Sequence, residues 1–229
     1  MKTRLLACLA FLALAQPLRA EMTEVAKGVK VTKKTYQAPI NEQPFFGFAE
    51  KTDEQRALDD KFVSEVVQAT GSREKGFDAA MQRGWTLVGK GNFVDAAKRF
   101  NQAYLLSPEP SAVYHGFAVI AQARFNDTDY ADELFKIART RLRPLKALNA
   151  DYGRALLIAK RPKEAQGILE QATVDAPDFA DAWSNLAFAR FQNGDRRAAC
   201  AAVAEAAKLK PSANVAKDMN ILSRQAQCE

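Results

Sequence analysis

The chain has 229 residues, of which 48% are hydrophobic, 26% charged and 9% aromatic, and its formal net charge is +6. This is a globular composition: nine prolines, eleven glycines and three cysteines are too few for a collagen-like, disordered or disulfide-dense chain.

Residues 1–20 read as a signal peptide. Lys2 and Arg4 form a basic head, Leu5 to Ala15 a short apolar run, and small residues follow. A spanning helix would need roughly 20 apolar residues, and no other stretch offers them. Cleavage is expected after Ala15 or after Ala20, and the mature chain is expected in the periplasm or outside the cell. Leu5-Leu6-Ala7-Cys8 resembles a lipoprotein box, but three residues before the cysteine are too short an apolar segment, so Cys8 reads as part of the leader. Cleavage after Ala20 removes Lys2, Arg4 and Arg19 and no acid, leaving 30 basic and 27 acidic residues, a net charge of +3. With that balance and no basic-aromatic motif, nucleic acid is not an expected partner.

Residues 21–51 show no helical period. Pro39 and Pro44 disfavour helix, Val29 and Val31 alternate with polar residues, and Phe45, Phe46 and Phe48 cluster, so an extended arm is expected. Those phenylalanines are costly to leave in water and should pack in the chain's own groove or on a partner. Thr52 and Gln55 make a capping box for a helix over 52–71 with Leu58, Phe62, Val66 and Ala69 on one side, ended by Gly71.

Beyond Ser72 the chain repeats. Ala96-x3-Phe100-x2-Ala103-x4-Pro108 returns as Ala165-x3-Leu169-x2-Ala172-x4-Pro177 and as Ala199-x3-Val203-x2-Ala206-x4-Pro211. A weaker copy, Ala131-x3-Phe135-x2-Ala138, has Pro144 displaced by one. The lead alanines are 35, 34 and 34 residues apart. Trp183-x2-Leu186-Ala187, Gly84-x2-Leu87 and Tyr152-Gly153-x2-Leu156 supply the preceding half, whereas His115, Ala118, Val119 and Gln122 of the second unit depart most from it. A 34-residue period of this form resembles the tetratricopeptide repeat (TPR).

Small residues such as Gly84, Gly153, Ala187 and Ala199 let helices approach, and Phe100, Phe135, Leu169 and Val203 fill the space beside them. Gly91-Asn92 and Asn193-Gly194 suit tight turns. The resemblance implies an all-α, right-handed α-solenoid of about four helix-turn-helix units over 72–211, near 77–110, 112–145, 146–179 and 180–213. A capping helix over 212–229 would bury Val215, Met219, Leu222 and Ala226.

In this family the first helices of successive pairs line a concave groove that holds a peptide or helix. Helical phase places Met81, Trp85 and Val88 there, then Phe117, Ile120 and Arg124, then Asp151, Arg154 and Leu157, then Asn185, Phe188 and Phe191. Trp85, Arg154, Phe188 and Phe191 fall nearest the groove by phase, and aromatic and arginine side chains commonly carry interface energy. The lining is mostly apolar and lacks the lysine and asparagine ring with which some family members grip a C-terminal carboxylate.

Little points to chemistry. His115, the only histidine, falls at a core position. Gly84-x4-Gly89-Lys90 has phosphate-loop spacing, but Gly91 stands where a hydroxyl must hold magnesium and no strand precedes it. Asn126-Asp127-Thr128 has the form of a glycosylation site, but the leader looks bacterial. Spacing does not exclude a zinc site of Cys200, Cys228 and His115, but nothing resembles C-x2-C or H-E-x-x-H. In an oxidising compartment Cys200 and Cys228 are expected to pair, two buried free thiols being the alternative; a bridge would stabilise by about 3–4 kcal/mol.

No cofactor, metal or catalytic residue is expected. The expectation is a noncatalytic adaptor or scaffold of the bacterial envelope that holds an apolar peptide or helix; the alternative is a self-associating protein whose arm or groove is occupied by another copy.

Overall fold

The structure, a computed structural model, describes residues 21–228; the expected signal peptide and Cys8 lie outside the described residues. After a short N-terminal segment come ten α-helices: α1 (Asp53–Thr70), α2 (Arg73–Gly89), α3 (Phe93–Leu106), α4 (Ser111–Phe125), α5 (Thr128–Thr140), α6 (Leu148–Ile158), α7 (Pro162–Asp175), α8 (Ala180–Gln192), α9 (Arg196–Lys208) and α10 (Ala213–Ala226).

Local chemistry sets the boundaries. Thr52 and Gln55 form a reciprocal capping box at α1, and side chains of Ser72, Asn92, Asp127, Asp195 and Ser212 each accept an N–H in the first turn of the following helix. Ser72 starts α2 at Arg73, ahead of the expected 77. Four turns each hold one left-handed residue just before the cap, Gly91 (φ 72°), Asn126 (φ 52°), Lys160 (φ 58°) and Gly194 (φ 89°).

Helices α2–α3, α4–α5, α6–α7 and α8–α9 pack as successive pairs, and α4, α6 and α8 each rest on both helices of the pair before. Phe100 fits between α2 and α4 because a Cβ at Gly84 would lie 2.4 Å from its ring and one at Gly116 2.9 Å. The first helices α2, α4, α6 and α8 each touch the next, while the second helices meet the following pair through its first helix. The tighter row is the inner wall of an all-α solenoid, and α3, α5, α7 and α9 form the outer face. Helix α1 covers α2 and α3; α10 covers α8 and α9, burying Met219, Leu222 and Ala226. Leu58 and Ala69, expected on the packed side of α1, are exposed; Val63 is buried instead.

Residues 21–51 correct the expected extended arm. They fold into a hairpin, β1 (Met22–Ala26) antiparallel to β2 (Val29–Thr32), followed by short 3-10 turns at Ile40–Glu42 and Pro44–Phe48. The period-2 pattern of Val25, Val29 and Val31 puts one hairpin face against the outer helices. Tyr104 donates to Val25 O at 2.7 Å, and Thr32 N donates to Glu133 Oε1 at 2.6 Å.

Phe45, Phe46, Gly47 and Phe48 all have positive φ, which is costly for three phenylalanines, so other contacts must hold the turn. Phe45 is buried against Tyr104, Tyr114 and Phe117, with ring centroids 5.3, 6.1 and 4.6 Å away. Asn101 is buried beneath: its Nδ2 donates to Asn41 O and Gln43 O, and its Oδ1 accepts from Phe46 N. The aromatic cluster therefore packs on the outer face of its own chain, not in the groove.

The expected bridge is present: Cys200 on α9 and Cys228 beyond α10 form a disulfide with Cα atoms 5.4 Å apart.

Candidate interaction groove

The inner wall takes its register from the turns that end the first helices. In three pairs the N–H of the next helix's cap residue bonds the carbonyl five residues back: Asn92 to Leu87, Arg161 to Leu156, Asp195 to Arg190. In the second pair Asp127 N reaches Ala121 O, six back. The extra residue of the 35-residue interval is thus absorbed in the α4–α5 turn, after the wall. Counting from these bonds aligns Trp85 with Val119, Arg154 and Phe188.

The expected lining of the second unit is therefore wrong by a fraction of a turn. Ile120 is 0% exposed and offers a partner no surface. Phe117 packs under Phe45, and Arg124 donates to Glu42 O at 3.1 Å and pairs with the Glu42 carboxylate. Both side chains hold the arm. The wall positions of α4 are instead Val119, Gln122 and Ala123.

Three clefts run along the wall. The first, about 300 Å³, lies between α2, α4 and the loop after α5, lined by Met81, Trp85 and Leu145 among others. The second, about 460 Å³, has Trp85, Val88, Phe93, Val119 and Phe135 on one side and Asp151, Arg154 and Ile158 on the other. A third of about 240 Å³ is bounded by Arg154, Leu157, Ile158, Asp181, Phe188, Val215 and Asp218. Trp85 borders the first two, and Arg154 and Ile158 border the last two. The clefts thus form one trough from α2 to α10.

Of the residues singled out from the sequence, Trp85 and Phe188 are half-buried and Arg154 is exposed, all three on the trough. Met81 lines the first cleft with 5% of its surface exposed. Phe191 packs half-buried against the apolar core and borders none of these three clefts. Ile158, 53% exposed between the second and third clefts, was missed, as were Asp181, Val215 and Asp218. Turn-anchored counting would have found Val119; nothing local marks the aspartates, which come from separate helices.

His115 lies beneath the wall with no exposed surface, its ring 4.6 Å from Trp85 and 5.7 Å from Phe135. Its Nε2 donates to Asp151 Oδ2 at 2.8 Å, fixing that carboxylate at the edge of the trough. Asp181 is raised above the ordinary carboxylate range, first by burial and then by the charge of Asp151, with Arg154 opposing. The trough thus has an apolar floor with an acidic bias, more charged than the sequence suggested. Among the described residues, no cluster of three or more His, Cys, Asp or Glu could hold a metal ion, and no helix is long and apolar enough to cross a membrane.

No family model and no curated protein matches the chain. Solved structures do. PilF of Pseudomonas aeruginosa is 23% identical with a TM-score of 0.58, over 68% of this chain and 71% of its own. MamA (residues 41 to the end) of Desulfovibrio magneticus RS-1 is 19% identical with a TM-score of 0.51, over 69% and 88%. YrrB, described as a TPR protein with an unusual peptide-binding site, is 14% identical with a TM-score of 0.50, over 73% and 84%. The fold is the TPR solenoid.

Proposed function

We propose that the chain is a noncatalytic scaffold of the bacterial envelope that holds a peptide segment or helix of a partner protein in the trough. The observation that carries this reading is the uncovered apolar floor: Trp85, Ile158 and Phe188 line joined clefts, and the chain's own aromatic arm is docked on the opposite face. Burying such a floor is the chief source of affinity open to it. Likeness to YrrB supports a peptide as occupant. The leader-like residues 1–20 and the Cys200–Cys228 bridge support an oxidising compartment outside the cytoplasm.

Affinity capture from envelope extract, comparing wild type with Trp85→Ala and Phe188→Ala, tests the reading. Loss of the same partner from both variants is expected; equal recovery of every partner overturns it. Self-association remains the second reading. With the arm docked in cis, a second copy would have to use the trough, and a mass that rises with concentration and falls back in Phe188→Ala would favour it.

A further inference from the structure

We infer that the trough selects a segment carrying an apolar side chain next to a lysine or arginine, the apolar group seated between Trp85 and Ile158 and the cation reaching Asp151 and Asp181. This rests on the reading of the trough as a peptide site and adds the chemistry of the peptide.

The charge distribution carries the inference. Three carboxylates, Asp151, Asp181 and Asp218, border the second and third clefts against one guanidinium, Arg154. Among the described residues, none of these four groups pairs with an opposite charge other than the buried His115 that holds Asp151. Several acids on the outer side are matched: Asp127 with Lys34, Glu42 with Lys98 and Arg124, Asp132 with Lys136 and Arg161. The chain carries 33 basic residues against 27 acidic ones, so an acidic trough runs against its overall balance.

Burial and mutual repulsion already hold Asp181 above the ordinary range, and a cation beside it would relieve both effects. An acidic segment or a chain-terminal carboxylate would find one arginine among three carboxylates. His115 engages one Asp151 oxygen, and the other has no protein donor among the described residues. Apolar contact supplies affinity here and the carboxylates supply selection, since like-charge juxtaposition penalises wrong partners.

The probe is a randomised library of peptides of about 12 residues, long enough when extended to run past both clefts, displayed on phage and selected on the full purified chain. Enrichment of lysine or arginine beside an aromatic or branched apolar residue is expected. A selected peptide, made synthetically, should bind about tenfold more weakly to Asp151→Asn/Asp181→Asn, and the difference should shrink at about 0.5 M salt. Asparagine keeps an acceptor for His115, circular dichroism checks the fold, and Asp181→Asn alone serves if the double variant is unstable.

Selected peptides that are neutral or acidic, or that bind the asparagine variants as tightly as wild type, overturn the inference. If those peptides still lose affinity on Phe188→Ala, the trough itself stands as the site. If no selected peptide depends on Phe188, the peptide reading falls and this inference with it.

Discussion

The outer face of the first two pairs and the inner wall are built from the same helices, yet only one is closed. On the outer face Tyr104, Tyr114 and Phe117 meet Phe45, Tyr36 stacks on Phe125 with centroids 3.8 Å apart, and Asn101, Asp127 and Glu133 satisfy arm backbone or side chains. On the inner wall Ile158 stands exposed, and Asp181 and Asp218 border the cleft beside it without an ion-pair partner among the described residues. The difference teaches where the stack spends its apolar surface: on the outside it is covered for the chain's own stability, on the inside it stays open, as the proposed binding role requires.

The largest test of that division is a pair of phenylalanines. Phe45→Ala empties an aromatic pocket and leaves a strained turn without its anchor, so it should cost about 3–5 kcal/mol. Phe188→Ala removes a half-buried ring and should cost about 1 kcal/mol, yet weaken peptide binding most. Denaturant unfolding and calorimetric titration of both variants check this. Deleting residues 21–50 should destabilise more than Phe45→Ala does; unchanged melting would break the comparison.

The pairs were legible because their grammar is local. Lead alanines at fixed spacing, cap residues and closing prolines act within a few residues of where they stand. The second unit was misread for a physical reason. Helix α4 is buried without interruption from Ser111 to Ala118, between neighbouring helices and the arm, so no polar stripe marks its phase. Carrying the 35-residue interval straight through then put Ile120 where Val119 belongs. The arm's lodging was illegible because Phe45 finds its pocket on α3 and α4, far along the chain. The acidic bias of the trough was hidden likewise, since Asp151, Asp181 and Asp218 meet only after stacking.

The Cys200–Cys228 bridge comes next in size and lies far from the arm, tying α9 to the chain end beyond α10. It closes a separation of 28 residues, worth about 3.5 kcal/mol in the chain-entropy model. It ties down α10, which brings Val215 and Asp218 to the trough. Reduction should lower stability and weaken peptide binding while leaving the arm docked. Non-reducing peptide mapping with unfolding in the presence and absence of reductant checks this; two free thiols would remove the effect.

Acidification should move the two faces in opposite directions. Burial pushes the Asp127 carboxyl up, but the Tyr130 N–H, Lys34 and Tyr36 outweigh it and hold the group below its ordinary value. Its contribution is therefore complete above the ordinary carboxylate range and is lost as pH falls through the depressed value. Asp181 is raised, so the folded chain takes up its proton first and gains stability as pH falls from neutral into that raised range. Compared with Asp181→Asn, wild type should gain stability in mild acid. Compared with Asp127→Asn, it should lose stability in strong acid. Unfolding free energies measured from neutral to acid pH separate the two effects, which should be smaller than that of the disulfide.

The smallest effect comes from a turn that belongs to neither face. Lys160 is exposed in the left-handed region at φ 58°, where its counterparts Gly91 and Gly194 have no side chain to strain. Lys160→Gly relieves a backbone cost of about 1 kcal/mol and returns part of it as unfolded-state entropy, for a net gain of about 0.5 kcal/mol. Because Lys160 lines none of the three clefts and touches no arm residue in the hydrogen bonds or ion pairs above, peptide affinity should not change. A matched rise in melting temperature at constant affinity would show that stability and binding can be tuned apart; a change in affinity would mean that the turns set the trough's shape as well as its register.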